Sequence, residues 1–206
     1  INYFYDNQIS GVNIGRLTKI ENINNFGGNP KTLYAYDSLG NVITLTNPRG
    51  YNTTFSYEST GSFKTNETTA LGHITKYNYN LGTGNLLSEV KDGLNKTFEY
   101  DTFGRLTKEI IFPDNSVSPT TIYTYNLDGT SPESIKVEKK NNDSDYSEDI
   151  FIYDGFGNVV QTRTLFSPAT QIVNNYFYDS SYRINRIQNP YFESYSSDLT
   201  SPVSGL

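Results

Sequence analysis

Aromatic residues in this chain alternate with other residues at regular distances along the sequence. The pattern is an aromatic residue, any residue, a tyrosine, and then Asp, Glu or Asn. Residues i and i+2 of a β-strand lie on one face, so each aromatic pair predicts a short strand with an aromatic face. The pattern occurs eight times, and the second tyrosines are Tyr5, Tyr36, Tyr57, Tyr79, Tyr100, Tyr125, Tyr153 and Tyr178. Their separations of 21 to 31 residues predict a repeat architecture with insertions.

A turn signal follows the strand in five of the eight copies. A glycine stands three residues after the Asp, Glu or Asn that ends the pattern; these glycines are Gly40, Gly61, Gly104, Gly129 and Gly157. Three of these copies have an aspartate there: Asp37, Asp101 and Asp154. Such an aspartate accepts backbone hydrogen bonds and the glycine tolerates a positive φ, which predicts a type I turn closing a bulged hairpin.

Three copies depart from this turn pattern. After Asp6, the glycine (Gly15) follows only after an insertion. After Asn80, one extra residue precedes Gly84. After Asp179, Tyr182 occupies the glycine position. We expect these three turns to differ in shape from the others.

Alternation resumes after each turn, for example from Val42, Leu106 and Val159, and these return strands end at further turn signals such as Asn47-Pro48-Arg49-Gly50 and Asp92-Gly93. The predicted fold is therefore all-β: repeated antiparallel hairpins joined into a continuous curved or spiralling sheet. Stacked repeats would place the aromatic pairs in a ladder, where we expect them to be buried as the main packing material.

Composition supports this interpretation. The 206 residues include 18 Tyr, 12 Phe and 16 Gly but no Trp, Met or Cys, which is typical of short aromatic strands separated by turns. The net charge of -6 with scattered Lys and Arg argues against a nucleic-acid partner. No stretch approaches the length of a membrane span, and no signal peptide is evident. Because the chain has no initiator Met and begins within a repeat, we expect a piece excised from a longer protein.

The strings Tyr-Asp-x-x-Gly-Arg-Leu-Thr from Tyr100 to Thr107 and Tyr-Asp-Ser-Leu-Gly-Asn-Val from Tyr36 to Val42 resemble the YD repeat of Rhs proteins. The resemblance covers nearly the whole chain, so residues 1–206 are interpreted as one array of eight copies. It implies part of a hollow β-shell, as in bacterial polymorphic toxins, insecticidal toxin complexes and teneurins. The self-cleaving aspartyl region of many bacterial shells carries Asp-Pro, and no Asp-Pro occurs here.

Candidate catalytic and metal-binding residues are few. His73 is the sole histidine, and no nucleophile or orienting partner can be assigned to it from the sequence. With no cysteine, a His/Cys metal site is excluded. The repeated aspartates each lie in their own repeat, so they do not predict a calcium loop; Asn142-Asp143-Ser144-Asp145 comes closest but lacks downstream ligands. No cofactor, metal site or catalytic residue is predicted.

Glycan binding is the main functional alternative, since exposed aromatic rings stack on sugars. The candidates are aromatics outside the repeat pattern, Tyr182, Tyr191 and Tyr195. A hidden hydrolase is a third, poorer interpretation. We expect a non-catalytic wall segment of a secreted or surface bacterial protein that encloses, displays or delivers a toxin or effector domain. Its partners would be the rest of its own polypeptide and that enclosed domain.

Overall fold

The computed structural model describes residues 1–6, 15–24, 27–129 and 132–197. The chain divides into two compact units, Ile1–Thr97 and Phe98–Leu206, and the boundary between them falls inside one strand. The described residues form seventeen strands and no α-helix, and every pairing with a defined register is antiparallel. The prediction of an all-β chain of antiparallel hairpins is confirmed.

The first unit is a meander in which each strand pairs with the next along the chain. Its strands are β1 (Asn2–Tyr5), β2 (Leu17–Glu21), β3 (Lys31–Tyr36), β4 (Val42–Thr46), β5 (Asn52–Tyr57), β6 (Lys64–Thr68), β7 (Ile74–Tyr79), β8 (Leu86–Lys91) and the start of β9 (Leu94–Tyr100).

The second unit continues from the end of β9 with the same antiparallel order. Its strands are β10 (Leu106–Ile111), β11 (Thr121–Asn126), β12 (Glu133–Asn142), β13 (Asp145–Tyr153), β14 (Val159–Ser167), β15 (Thr170–Tyr178), β16 (Ile184–Ile187) and β17 (Tyr191–Ser194). β16 and β17 both pair with β15, at its C-terminal and N-terminal parts respectively.

The aromatic pairs share one face of each strand, as their spacing predicts. In β3, β5 and β7 the aromatic positions are half-buried and the residues between them are exposed. In six hairpins the register shifts by one residue at the second tyrosine, so that a bulge lies beside each turn. The bulged hairpin is therefore a repeated structural unit.

The repeated tyrosines take part in packing but are not the most deeply buried side chains. Among the described residues the buried hydrophobic side chains are Ile110, Ile150, Ile152 and Val173, all in the second unit. The second tyrosines from Tyr36 to Tyr178 are half-buried, and Tyr5 is exposed.

A polar chain is buried on the sheet face that also carries Ile152 and Val173. The Arg163 Nε donates to Gln161 Oε1 at 2.9 Å, and the Gln161 amide donates to Asn175 Oδ1 at 2.7 Å. All three side chains are almost completely buried. Since a buried polar group is costly unless it is hydrogen-bonded, the bond within β14 satisfies Arg163 and the bond from Gln161 to Asn175 joins β14 to β15.

Candidate functional site

The most distinctive local geometry is the turn that closes each hairpin. The Gly104 N–H donates to the Asp101 carbonyl at 3.0 Å, and the Asp101 N–H donates to the Arg105 carbonyl at 2.9 Å. The same two bonds close the turns at Asp37 and Asp154. All five predicted turn glycines have a positive φ, between 74° and 99°, which only glycine adopts at little cost.

In turns that begin with aspartate, the carboxylate holds the backbone with one oxygen and a side chain with the other. Asp101 Oδ1 accepts from the N–H groups of Phe103 and Arg105, both at 2.9 Å, and its Oδ2 accepts from Arg105 Nε at 2.7 Å. Asp154 bonds in the same way to Phe156 and Asn158. This double use of the carboxylate explains why Arg or Asn follows the turn glycine where the turn begins with aspartate.

The hydrogen bonds lower the pKa of the turn carboxyls. Burial by itself would raise the pKa of Asp101, but the bonds from Arg105 and Phe103 and the Arg105 charge bring it below its usual value. The pKa of Glu58 falls to about 2, first because of bonds from the hydroxyl and N–H of Thr60. The pKa values of Asp37 and Asp179 are also lowered, chiefly by backbone N–H donors.

These shifts predict a loss of stability in acid. A carboxyl whose folded-state pKa is depressed stabilises the fold above its unfolded pKa, and that stabilisation is lost as the pH falls through the folded value. The melting temperature should therefore fall steadily from about pH 5 to about pH 2. An Asp101→Asn variant should melt lower at neutral pH and show a shallower acid dependence. A melting temperature independent of pH across this range would contradict the assigned role of the turn carboxylates.

The second tyrosine of a repeat bonds to the preceding repeat. Its hydroxyl donates to the carbonyl of the first residue of the preceding return strand. These bonds are Tyr36 to Leu17 at 2.7 Å, Tyr57 to Val42 at 3.0 Å, Tyr125 to Leu106 at 2.8 Å and Tyr178 to Val159 at 2.9 Å. We call this contact the tyrosine junction. In another copy, Tyr79 stacks on Phe63 instead, with ring centroids 5.0 Å apart.

The residue after the turn glycine reinforces the junction. The Arg105 guanidinium lies 4.6 Å from the ring centre of Tyr125, and Arg16 lies 5.6 Å from that of Tyr36. Arg16 also donates to the Asp37 carbonyl at 2.9 Å, and the Asn41 amide donates to the Gly61 carbonyl at 2.9 Å. One side chain thus holds its own turn and the next turn together.

The three unusual turns differ less than we expected. The Tyr182 N–H donates to the Asp179 carbonyl at 3.0 Å and Tyr182 has a φ of 58°, so the turn has the common shape without glycine. The expectation of a different shape there is wrong, because the tyrosine adopts the left-handed conformation. The Asn80 turn is one residue longer, with the Gly84 N–H bonding to the Asn80 carbonyl. Most of the insertion after Asp6 lies outside the described residues, and Asp6 Oδ1 accepts from the Gly15 and Arg16 N–H groups.

His73 also joins two neighbouring turns, but at the strand ends opposite to the turns that follow the second tyrosines. It follows Gly72 in a turn whose Gly72 N–H bonds to the Thr69 carbonyl. The His73 Nδ1 lies 2.9 Å from Asp92 Oδ1, in the next turn on that side. Asp92 and Gly93 both have a positive φ, as expected for the predicted tight Asp-Gly hairpin. The sequence did not indicate Asp92 as a partner because the two residues are 19 positions apart.

We expect His73→Ala to change little. Both side chains are about half exposed, and a contact between exposed polar side chains contributes at most about 1 kcal/mol. The free energy of unfolding should therefore fall by less than about 1 kcal/mol, as measured by urea titration at pH 7. A loss of several kcal/mol would show that this contact holds the first unit together.

Within the described ranges, no three His, Asp or Glu side chains cluster in a way that could hold a metal ion. The Asn142–Asp145 segment forms the turn between β12 and β13, and Asp143 is paired with Lys140 at 2.8 Å. The described residues contain no helix of the length and apolarity that a membrane crossing requires.

The three candidate glycan residues have different environments. Tyr182 is 56% exposed and its ring lies 4.9 Å from that of Phe156, which is also exposed. Tyr191 and Tyr195 are half-buried. The Tyr191 hydroxyl accepts from Asn175 at 3.2 Å, and the Tyr195 hydroxyl donates to Glu148 at 3.2 Å. The structure does not bring the three together into one platform.

No protein-family model and no curated protein matches this sequence. Among solved structures, the chain is similar to a chain of the Photorhabdus luminescens Tc holotoxin pore, with 16% identity and a TM-score of 0.63. The match covers 87% of this chain, which spans 11% of that chain's length. A crystal structure of TcdB2-TccC3 without its hypervariable C-terminal region aligns with 17% identity and a TM-score of 0.46, over 84% of this chain and 12% of that one. The first likeness shows a shared fold.

Proposed function

We propose that this chain is a section of a YD-repeat wall, an array of eight copies within a longer bacterial protein. The wall would enclose, display or deliver a toxin or effector domain and would have no catalytic activity of its own. The observation that carries this proposal is the tyrosine junction, in which the repeated polar groups of one hairpin bond to the neighbouring hairpin. Side chains used in this way stabilise a wall and do not form one reactive centre.

The fold likeness to a chain of the Tc holotoxin pore supports an association with toxin delivery. The partners of the segment would then be the rest of its own polypeptide and an enclosed domain. Export to the outside or the surface of the cell follows from that role.

The environment of His73 supports a non-catalytic role. Its Asp92 contact joins two turns on one side of the first unit, and both residues lie in exposed loops. General base catalysis requires a nucleophile within hydrogen-bond reach of the base, and no described contact places one beside His73.

Limited proteolysis of the intact parent protein tests enclosure. If the wall encloses a domain, a segment of the parent is protected from protease, and Tyr125→Ala exposes it by weakening a junction. We expect cleavage of that segment to become at least about tenfold faster, corresponding to about 1.4 kcal/mol of lost protection. Tyr51→Ala serves as the control, because Tyr51 is exposed and makes no tyrosine junction. Absence of any protected segment in the unmodified parent would contradict enclosure.

Glycan binding is a second candidate because Tyr182 and Phe156 form an exposed aromatic pair. The same pair also packs one turn against the next, which a wall requires. We expect no saturable binding on a glycan array. Saturable binding that disappears in Tyr182→Ala at unchanged melting temperature would favour a carbohydrate-binding module over a wall.

A further inference from the structure

The second unit contains a long connection between two repeats. A return strand is linked to the next repeat by a joining turn, and five such turns from β4 onwards have two or five residues between their strands. The connection from β10 to β11 has nine residues, 112–120, which we call the rim loop. It lies in the interval of 25 residues between Tyr100 and Tyr125, whereas the three preceding intervals are 21 or 22 residues long. The rim loop is therefore an insertion into the repeat.

The base of the rim loop is bonded to the hairpin formed by β12 and β13. Asp114 Oδ1 lies 2.6 Å from Lys140 Nζ, and Asp114 Oδ2 accepts from Thr120 Oγ1 at 2.7 Å. The Tyr146 hydroxyl donates at 2.9 Å to the carbonyl of Pro119, a residue that is almost completely buried. These contacts hold both ends of the loop in one position on the second unit.

The tip of the rim loop is ordered and yet presents an apolar side chain to water. Asn115 Oδ1 accepts from the N–H groups of Val117 at 2.9 Å and Ser118 at 3.1 Å. Val117 is nevertheless 96% exposed, and Phe112 at the start of the loop is 67% exposed. A loop that is already held in its bound shape loses little conformational entropy when it docks. Because binding residues are often carried by loops on a rigid scaffold, the rim loop has the properties of a recognition loop.

The surroundings of the rim loop are acidic. Residues 112–120 and 133–153, the loop and the hairpin that it contacts, contain seven acidic side chains and three lysines, so their net charge is -4 in a chain whose total is -6. The Asp143 side chain is fully exposed, and Asp145 is exposed as well. Charges around a contact favour partners of the opposite sign, so this surface favours a basic partner.

We propose that the rim loop docks a basic protein that lies outside the repeat array. Val117 packs against apolar side chains of this partner, and surrounding Lys or Arg side chains of the partner pair with Asp143 and Asp145. The tyrosine junctions that join the repeats use no residue of the rim loop. The docking is therefore separate from the contacts that build the wall, and it does not depend on an enclosed domain.

Selection of peptides from a random phage library against the 206-residue chain tests this docking. The selected peptides should be rich in Lys or Arg and should each carry a large apolar residue. Val117→Ser should weaken their binding at least about tenfold, because burial of a valine side chain is lost. The affinity of the unmodified chain should also fall as the salt concentration rises from about 50 to about 500 mM.

Leu71→Ser is the matched control, because Leu71 is 86% exposed in a joining turn of the first unit. This variant should bind the selected peptides as tightly as the unmodified chain does. Circular dichroism and melting of both variants check that the fold is retained, as expected for substitutions of exposed side chains. The proposal is overturned if no peptide is selected, if the peptides have no excess of basic residues, or if Val117→Ser binds them as tightly as the unmodified chain. An equal loss for Leu71→Ser would overturn it as well.

Discussion

Gly104→Val should destabilise the chain by about 3 kcal/mol, whereas Gly104→Asn should cost about 1 kcal/mol. Gly104 has a φ of 80°, and its N–H closes the turn on the Asp101 carbonyl. A β-branched residue is poorly tolerated at this φ, so valine must either strain the backbone or break the turn. Asparagine adopts this conformation more readily than valine.

Urea titration of the two variants measures the difference. Gly155→Ala is a suitable control, because Gly155 lies in an equivalent turn without a positive φ and an added Cβ meets nothing within 4 Å. Equal free energies of unfolding for Gly104→Val and Gly104→Asn would show that the left-handed turn does not limit stability.

Tyr125→Ala should also cost about 3 kcal/mol, and Tyr125→Phe about 1 kcal/mol. The phenylalanine variant removes the hydroxyl that bonds to the Leu106 carbonyl at 2.8 Å. The alanine variant also removes the half-buried ring and its contact with Arg105. Because Tyr125 is half-buried, the cost should lie at the lower end of the range for aromatic truncations.

The control for this prediction is Tyr51→Ala, which should change the free energy of unfolding by less than about 0.5 kcal/mol. Tyr51 is 58% exposed and lies in a joining turn outside the tyrosine junctions. If Tyr125→Phe is as stable as the unmodified chain, the hydroxyl's hydrogen bond does not contribute to stability. If Tyr51→Ala loses as much free energy of unfolding as Tyr125→Ala, the tyrosine junction contributes no more than an exposed tyrosine does.

The sequence was sufficient to predict the hairpins because their signals are local. The aromatic alternation sets the strand faces, and the Asp and Gly positions set the turns, as the bonds at Asp101 and Gly104 illustrate. The Tyr182 turn shows the limit of this reasoning. The backbone reverses there with the same hydrogen bond although no glycine is present.

The contacts between repeats were not predictable because one partner carries no sequence signal. The Tyr36 hydroxyl bonds to the Leu17 carbonyl, and any residue supplies a carbonyl. The recurring Arg or Asn after the turn glycine was visible, but its reach to the next repeat depends on strand register. Burial of Arg163 was missed for a different reason, since a charged residue predicts exposure unless its partners are known.

The central claim is that the repeats are stabilised by one another and do not form a single binding site. The free energy of unfolding of eight variants, each with one second tyrosine changed to alanine, tests this claim most directly. The account predicts losses for all seven variants from Tyr36→Ala to Tyr178→Ala and the smallest loss for Tyr5→Ala, whose ring is exposed. If one variant alone is destabilised and the other six inner variants are as stable as the unmodified chain, the repeats do not act together and the account is contradicted.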